Sequence, residues 1–406
     1  MGTERKHPWY RNMLKKVLQK SAVSEEFLTW CSHTYTKLYI TTCRTEPKKV
    51  VLSSYWGKGY GDNPKYITEE ILKQGLDWDI VWMTNGTNMN YPQGVRTVLY
   101  GSNDALRELA SAKMWVDNVR NSLQPPKKKN QVYLQTWHGG VSFKCVEKAA
   151  EKTIHPNYVK AAKRDGQISD GIVCACRIQK EDFQENFWLN PNTEILECGL
   201  PRNDIFFDQE WVEQKYREIR RHFGIDQDTK IVLYAPTFRD DYSMDAYRLD
   251  FAGILEAMER RFRQKMVLVV RLHPNVQDQA DFIEYDDRIL NGTTWPDAQE
   301  LYMAADYMIS DYSSSFLDYA LLNRPVFLCL PDYEKYRAER GLNEVFEQCP
   351  FPRAYSSEQL LEVIGTFSEE KYWADMAAFR EKWQPYDDGH AAQTIVAWMK
   401  QKMQEG

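Results

Sequence analysis

The sequence lacks several features that would place it in a common class. Its eight cysteines include no C-x-x-C pair, and several lie in apolar runs, so buried reduced thiols fit better than a disulfide framework or a zinc site. No apolar run reaches the about 18 residues of a membrane-spanning helix, and the charged N-terminus does not resemble a signal peptide. The P-loop pattern is also absent, which excludes a P-loop NTPase.

The net charge and the length of the chain restrict its possible functions and its domain organisation. The net charge of -6 argues against general nucleic-acid binding, although a local basic cleft for an anionic ligand remains compatible with it. A chain of 406 residues is too long for one ordinary core, so we expect two domains. Between Trp9 and Trp30, lysines alternate with aromatic and aliphatic residues. A helix packed on the first domain is the preferred interpretation, and contact with an anionic membrane surface is the alternative.

Short, continuously apolar runs alternate with longer helical patterns along the chain. The runs predict strands over 49–55, 79–85, 96–102, 132–137, 171–176, 194–199, 230–238, 266–274, 307–313 and 325–330. This alternation predicts an α/β fold of two doubly wound, Rossmann-like domains that face each other across a cleft. The predicted boundaries are a helical segment over 1–45, α/β domains over 46–204 and 205–388, and a C-terminal helix over 389–406 that can pack back onto the first domain.

His138 is the first candidate functional residue, because ligands of open parallel sheets bind at the carboxyl ends of the strands. It follows the run VYLQTW, and Gly139 and Gly140 after it permit a sharp turn and close approach of a substrate. An imidazole whose pKa is near neutrality can take a proton from a hydroxyl nucleophile. The alternative for a single histidine at a strand end is a structural hydrogen bond.

His273 ends a second apolar run, MVLVVRLHPN, and is the second candidate. Arg271 lies two residues earlier and therefore shares its face in an extended strand. A cation and an imidazole at one strand end suit a phosphate group. A turn without any ligand is about equally compatible with the pattern.

A third candidate is the stretch SDYSSSFLDYALLNRP, in which a strand runs into Asp311 and a helix begins after the serines. Serines at a helix start are ordinary caps. The same position also offers free N–H groups and the positive end of the helix dipole to an anion. A helix cap needs one serine, and this stretch has three in a row. We therefore interpret Ser313 and Ser314 as part of a pyrophosphate cradle.

Polar residues that follow two further strands form the fourth group. Thr237 and Arg239 lie in YAPTFRDD, and Arg202 lies in GLPRND. Arginines after strands in a cleft fit phosphate recognition, although ion pairs with Asp240 and Asp241 are the alternative for Arg239. No convincing set of metal ligands is present, and no cofactor is expected.

In combination, these stretches resemble the CDP-glycerol glycerophosphotransferase family, which primes and polymerises teichoic acids and related capsular polymers. The matching stretches run in the family's order from about residue 48 and are SYWGKGYGDNPKYI, AKMWVDNVR, VYLQTWHGG, ILECGLPRND, VLYAPTFRDD, RLHPN, SDYSS and YDDGHAAQTIV. The resemblance implies a glycosyltransferase-B-like fold. It also implies transfer of a polyol phosphate from a CDP-activated donor to an acceptor hydroxyl with release of CMP, and glycerol phosphate is the preferred transferred group.

The resemblance also implies roles for individual residues. It makes His138 the base, associates His273 with the donor's pyrophosphate, and places Ser313 and Ser314 at the nucleotide-diphosphate site. We therefore expect both histidines to meet across the cleft, with His138 deprotonating the hydroxyl that attacks the β-phosphorus. Closure of the two domains is expected to bring base and donor together.

The implied partners are a CDP-glycerol or CDP-ribitol donor and a lipid-linked, oligosaccharide or polyol-phosphate acceptor, without nucleic acid. Many family members have threonine and proline after the WHG glycine, where this chain has Gly140 and Val141. That difference bears on acceptor preference. The expected location is the cytoplasm, with peripheral attachment to the inner face of the cell membrane left open. A nucleotide-sugar glycosyltransferase of the same fold and a non-catalytic polymer-binding protein are the alternative functions.

Overall fold

A computed structural model describes residues 42–86, 90–239, 244–272 and 283–405. It contains two parallel sheets, each covered by helices, which confirms the expected α/β fold of two doubly wound units. The helical segment predicted over 1–45 lies outside the described residues except for its last four. None of the helices within the described ranges is long and apolar enough to cross a membrane.

The first sheet has seven strands in the order β3-β2-β1-β4-β5-β6-β7. Their bounds are β1 Glu46–Ser53, β2 Asp79–Thr84, β3 Val95–Leu99, β4 Ala112–Asp117, β5 Val132–Gln135, β6 Gly171–Cys174 and β7 Glu194–Glu197. The covering helices are α1 Asp62–Lys73, α2 Asn103–Ser111, α3 Pro156–Ile168 and α4 Arg177–Asn186. The strand order reverses between β1 and β4, so a crevice opens between the loops that follow these two strands.

The second sheet has six strands in the order β10-β9-β8-β11-β12-β13. Their bounds are β8 Lys230–Tyr234, β9 Met266–Val270, β10 Ile289–Asn291, β11 Tyr307–Ser310, β12 Val326–Cys329 and β13 Arg353–Ala354. Its helices are α5 Gln209–Phe223, α6 Phe251–Phe262, α7 Ala298–Ala304, α8 Ser315–Ala320, α9 Tyr333–Arg340, α10 Glu344–Gln348, α11 Ser357–Gly365 and α12 Glu369–Trp383. Here the strand order reverses between β8 and β11.

Helix α5 shows how local sequence sets the ends of these elements. The Asp208 carboxylate accepts a hydrogen bond from the Trp211 N–H at 3.1 Å and caps the helix start. Gly224 ends the helix with a left-handed φ of 68°, a conformation that side chains with a Cβ rarely adopt. Basic residues fill the last turn, where they interact favourably with the helix dipole.

The last helix, α13 Ala391–Gln404, returns to the first sheet. Its apolar residues Ile395, Val396 and Met399 are fully buried in the core of that sheet. The carboxylate of Asp204 accepts hydrogen bonds from the two N–H groups at the helix start, at 3.0 and 2.7 Å. Burial raises the pKa of Asp204 to about 6. The chain therefore crosses from the second sheet back to the first before it ends.

The chain also passes from the first half of the molecule into the core of the second directly after Gly140. The residues Val141 and Phe143 are each 2% exposed and lie in the core of the second sheet rather than the first. The Phe143 ring stacks on the Phe316 ring, with centroids 4.9 Å apart. The backbone carbonyl of Phe143 accepts a hydrogen bond from the Asn343 N–H at 2.9 Å. The loop that begins at the end of β5 is therefore anchored in both halves of the molecule.

Candidate active site

The loops after β5 and β11 face each other between the two sheets. A Cβ added to Gly139 would lie 3.6 Å from the Ser314 hydroxyl, and one added to Gly140 would lie 3.8 Å from an Asp318 carboxylate oxygen. The backbone after His138 thus passes directly over the serine motif and the start of α8. Both distances are ordinary van der Waals contacts, so the two loops lie against each other without a steric demand for glycine at either position.

The imidazole of His138 is half-buried and held in one tautomer. Its Nδ1 lies 2.8 Å from the backbone carbonyl oxygen of Asn118, an atom that can only accept a hydrogen bond. Nδ1 therefore carries the proton, and Nε2 keeps a free lone pair. The ring packs against Trp137 and Tyr55, with centroids 4.5 and 5.8 Å away. This arrangement suits a base that acts through Nε2.

The surroundings keep this imidazole neutral. Burial lowers the pKa of His138 below its ordinary value of 6.5, and the positive charges of Arg202 and Lys144 act in the same direction. The Asn118 carbonyl and the Asp62 carboxylate oppose this shift but do not reverse it. A neutral imidazole is the form that can accept a proton at physiological pH.

Arg202 ties the His138 loop to both halves of the molecule. Its Nη1 donates to the backbone carbonyl of His138 at 2.6 Å and pairs with Asp62 on α1 at 3.1 Å. Its Nη2 pairs with Asp318 on α8 at 2.7 Å. Arg202 is only 5% exposed, and the opposite charges of Asp318 and Asp62 raise its pKa, so it stays protonated. The guanidinium therefore holds the backbone of the candidate base in place.

The serine motif follows β11 as expected and is half-buried. The Ser313 hydroxyl donates to Ser315 Oγ at 2.8 Å and accepts a bond from the Ser315 N–H at 3.2 Å. Ser314 occupies the cap position of α8 without a capping bond from its side chain. Helix α8 has only six residues, so the serine hydroxyls are the groups that we interpret as the anion partners here.

The buried residues Asp311 and Arg239 and the half-buried Thr237 form a cluster at the second sheet's carboxyl edge. The Asp311 carboxylate accepts the Thr237 N–H at 2.8 Å and pairs with Arg239 Nη1 at 2.9 Å. Arg239 also pairs with Asp332 at 2.6 Å, and its guanidinium lies 5.0 Å from the centre of the Tyr312 ring. Arg239 is 6% exposed. The polar atoms of Asp311, Thr237 and Arg239 already form hydrogen bonds or ion pairs within the protein. Direct contact of these residues with a phosphate stays a prediction.

Arg271 is half-buried and lies directly after β9, which ends at Val270, rather than inside the strand predicted over 266–274. Nη1 donates to the carbonyl groups of Trp295 at 2.6 Å and Gly292 at 3.2 Å. No carboxylate of the described residues pairs with it, and burial lowers its pKa. The role of Arg271 at a phosphate stays a prediction. His273, the second candidate histidine, lies outside the described residues, so its meeting with His138 is likewise untested.

Asn118, Asp62 and Asp318 complete the site, although none of them was singled out in the sequence. Asn118 follows β4, so the rule that drew attention to strand ends also applied to it. Asp318 lies one helical turn beyond Ser314 in an otherwise apolar stretch, and that placement was an available signal. Asp62 gave no such signal, because an aspartate at a helix start is ordinary. No group of three potential metal ligands occurs among the described residues.

Comparison with known proteins decides the family. The model of the CDP-Glycerol:Poly(glycerophosphate) glycerophosphotransferase family matches residues 35–400. The chain belongs to this family. The match spans both sheets and the whole candidate site, and it confirms the enzyme class that the sequence motifs indicated.

Individual members of the family are similar over most of the chain. The teichoic acid poly(glycerol phosphate) polymerase of Bacillus spizizenii is 30% identical over 361 residues, which cover 86% of this chain and 91% of that protein. The polymerase of the same name from Staphylococcus epidermidis is also 30% identical over 365 residues, but this chain spans only 50% of its length. A structure of the wall teichoic acid polymerase TagF superposes with a TM-score of 0.80 and 27% identity, covering 98% of both chains.

Proposed function

We propose that this glycerophosphotransferase transfers glycerol phosphate from CDP-glycerol to a hydroxyl of a polyol-phosphate acceptor in teichoic acid or related cell-surface polymer synthesis. The geometry of His138 carries the proposal. Its tautomer leaves Nε2 free, and the next residue, Gly139, lies beside the Ser314 hydroxyl of the other half. The names of the similar polymerases support glycerol phosphate as the transferred group.

In the proposed reaction, Nε2 of His138 takes the proton of the acceptor hydroxyl as its oxygen attacks the β-phosphorus of the donor. The bond between the β-phosphorus and the bridging oxygen breaks, and CMP leaves with the electron pair. The product is a new phosphodiester. Fixed hydrogen-bond donors at the leaving phosphate supply much of the barrier reduction. Val141 and Phe143 anchor the loop in the second core, so His138 lies near the serine motif. Closure of the two halves around the donor stays a prediction.

A donor panel tests the transferred group directly. Purified protein with a glycerol-phosphate oligomer should release CMP from CDP-glycerol faster than from CDP-ribitol, and should release no UMP from UDP-sugars. Faster release from CDP-ribitol would replace glycerol by ribitol in the proposal. Release of UMP would favour a nucleotide-sugar glycosyltransferase, and release of neither nucleotide would favour a non-catalytic binding protein.

The serine hydroxyls should contribute to donor binding. Replacing Ser313 and Ser314 together by alanine removes two hydroxyl partners of the proposed pyrophosphate site, so the affinity for CDP-glycerol should fall by about tenfold or more. Isothermal titration calorimetry measures this change. The matched control is Ser356→Ala together with Ser368→Ala, which removes two helix-capping hydroxyls elsewhere in the chain, one half-buried and one exposed. An unchanged donor affinity in the Ser313/Ser314 variant would refute the cradle.

The pH dependence follows from the lowered pKa of His138. The base works only when neutral, so activity should fall as the pH drops through that pKa. The midpoint of the acid limb of kcat/KM should therefore lie below 6.5, the ordinary value of an imidazole. A profile of CMP release between pH 5 and 8 checks this. A midpoint above 6.5 would contradict the assignment, and the residual activity of a His138→Gln variant should lack this limb.

A lipid-linked acceptor and a peripheral position at the inner face of the membrane belong to the same proposal. Their support is the mixture of lysines and aromatic residues between Trp9 and Trp30. Sedimentation with vesicles that contain an anionic phospholipid should carry the protein down at low salt. Recovery in the supernatant at every salt concentration would remove membrane attachment from the proposal.

A further inference from the structure

Three exposed side chains lie on the loop between β1 and α1, which contacts His138 through Tyr55. Tyr55 and Trp56 are 37% and 44% exposed, and the exposed Lys58 follows two positions later. The Tyr55 ring contacts the His138 ring with its edge, at 5.8 Å between centroids. The mechanism above gives none of these three residues a role.

Hydrogen bonds hold the loop in a conformation that exposes these side chains. Tyr55 and Trp56 have positive φ angles of 44° and 58°, where bulky residues are strained by about 1–3 kcal/mol each. The Trp56 indole N–H donates to the Arg120 carbonyl at 3.0 Å. The Tyr55 N–H donates to the Asn118 side chain at 2.9 Å, and the carbonyl of that same Asn118 orients His138. One residue therefore positions both the aromatic loop and the candidate base.

The position of the loop in the fold points to a ligand. Tyr55 and Trp56 follow β1, while Asn118 and Arg120 follow β4, and the strand order of the first sheet reverses between these two strands. Crevices at such reversals are where open α/β sheets bind their ligands. The donor's proposed phosphate site belongs to the other sheet, so this crevice is available to the second substrate.

We propose that Tyr55, Trp56 and Lys58 form the binding platform for the anionic glycerol-phosphate chain of the acceptor. The inference rests on the proposed function and specifies the acceptor side of the same site. The aromatic faces contact the C–H groups of the glycerol units. The Lys58 ammonium, which has no ion-pair partner among the described residues, binds a phosphodiester. The terminal hydroxyl of the chain then reaches Nε2 of His138.

Direct binding of a synthetic glycerol-phosphate trimer tests the platform without any need for turnover. Trp56→Ala and Lys58→Ala should each weaken trimer binding by about tenfold in calorimetry. Lys58→Ala should also flatten the salt dependence of trimer binding, because one charge contact is lost. Affinity for CDP-glycerol should be unchanged, and in steady-state assays the acceptor KM should rise more than kcat falls.

The matched controls are Trp373→Ala and Lys73→Ala, which remove an exposed tryptophan and an exposed lysine elsewhere. Neither should change trimer affinity. The platform is overturned if the wild-type protein does not bind the trimer or if Trp56→Ala and Lys58→Ala bind it normally. It is also overturned if CDP-glycerol affinity falls equally, since the loop would then serve the donor. Trimer binding without CMP release would instead defeat the proposed function and leave the platform supported.

Discussion

Replacing His138 by glutamine should lower the rate of CMP release from CDP-glycerol by about 10²–10⁴-fold, the usual contribution of a general base. Glutamine can still donate a hydrogen bond to the Asn118 carbonyl, so the loop geometry should survive. What it lacks is a basic nitrogen in place of Nε2. The loss should therefore appear in kcat, while calorimetric affinity for CDP-glycerol stays close to that of the unsubstituted protein.

His390→Gln is the matched control, because the His390 side chain is 63% exposed and lies at the start of α13. It should retain normal turnover. Near-normal turnover in His138→Gln would remove this residue from the mechanism. A drop in donor affinity as large as the drop in rate would show that His138 acts in donor binding and not as the general base.

The main strands could be predicted because burial on both faces leaves a clear signal in sequence. The predicted run at 230–238 contains β8, and the run at 266–274 contains β9, whose five residues are at most 6% exposed. The strands β10 and β13 were missed. They have three and two residues at the edges of the second sheet, and β10 is only half-buried, so no apolar run marks them.

The sequence positions of the site residues could be predicted, but the side chains with which they pair could not. His138 and the serine motif follow strands, and the fold brings the loops that carry them together. An arginine after a strand is equally suited to a phosphate or a carboxylate. Only the folded chain shows that Arg202 meets Asp62 and Asp318, which lie 140 and 116 residues away in sequence. Such pairing depends on how the two halves dock, and no local pattern encodes it.

A buried arginine under the site provides the largest expected effect on stability. The Arg120 guanidinium, whose side chain is 2% exposed, pairs with Glu147 at 3.1 Å and Asp165 at 2.6 Å. It also lies 5.3 Å from the centre of the Trp137 ring, next to the candidate base. Its pKa is raised by the two carboxylates, so the cation persists. Removing it would leave two buried carboxylates without their counter-charge.

Arg120→Met should therefore lower the free energy of unfolding by about 3–5 kcal/mol, as measured by urea titration. Arg96→Met is the matched control. Arg96 also pairs with two carboxylates, Asp79 and Glu108, but its side chain is 50% exposed, so its loss should cost about 1 kcal/mol or less. Equal losses in the two variants would contradict the argument from burial. Adding Glu147→Gln and Asp165→Asn to Arg120→Met should recover part of the stability, because uncompensated charge, rather than lost volume, is the main cost.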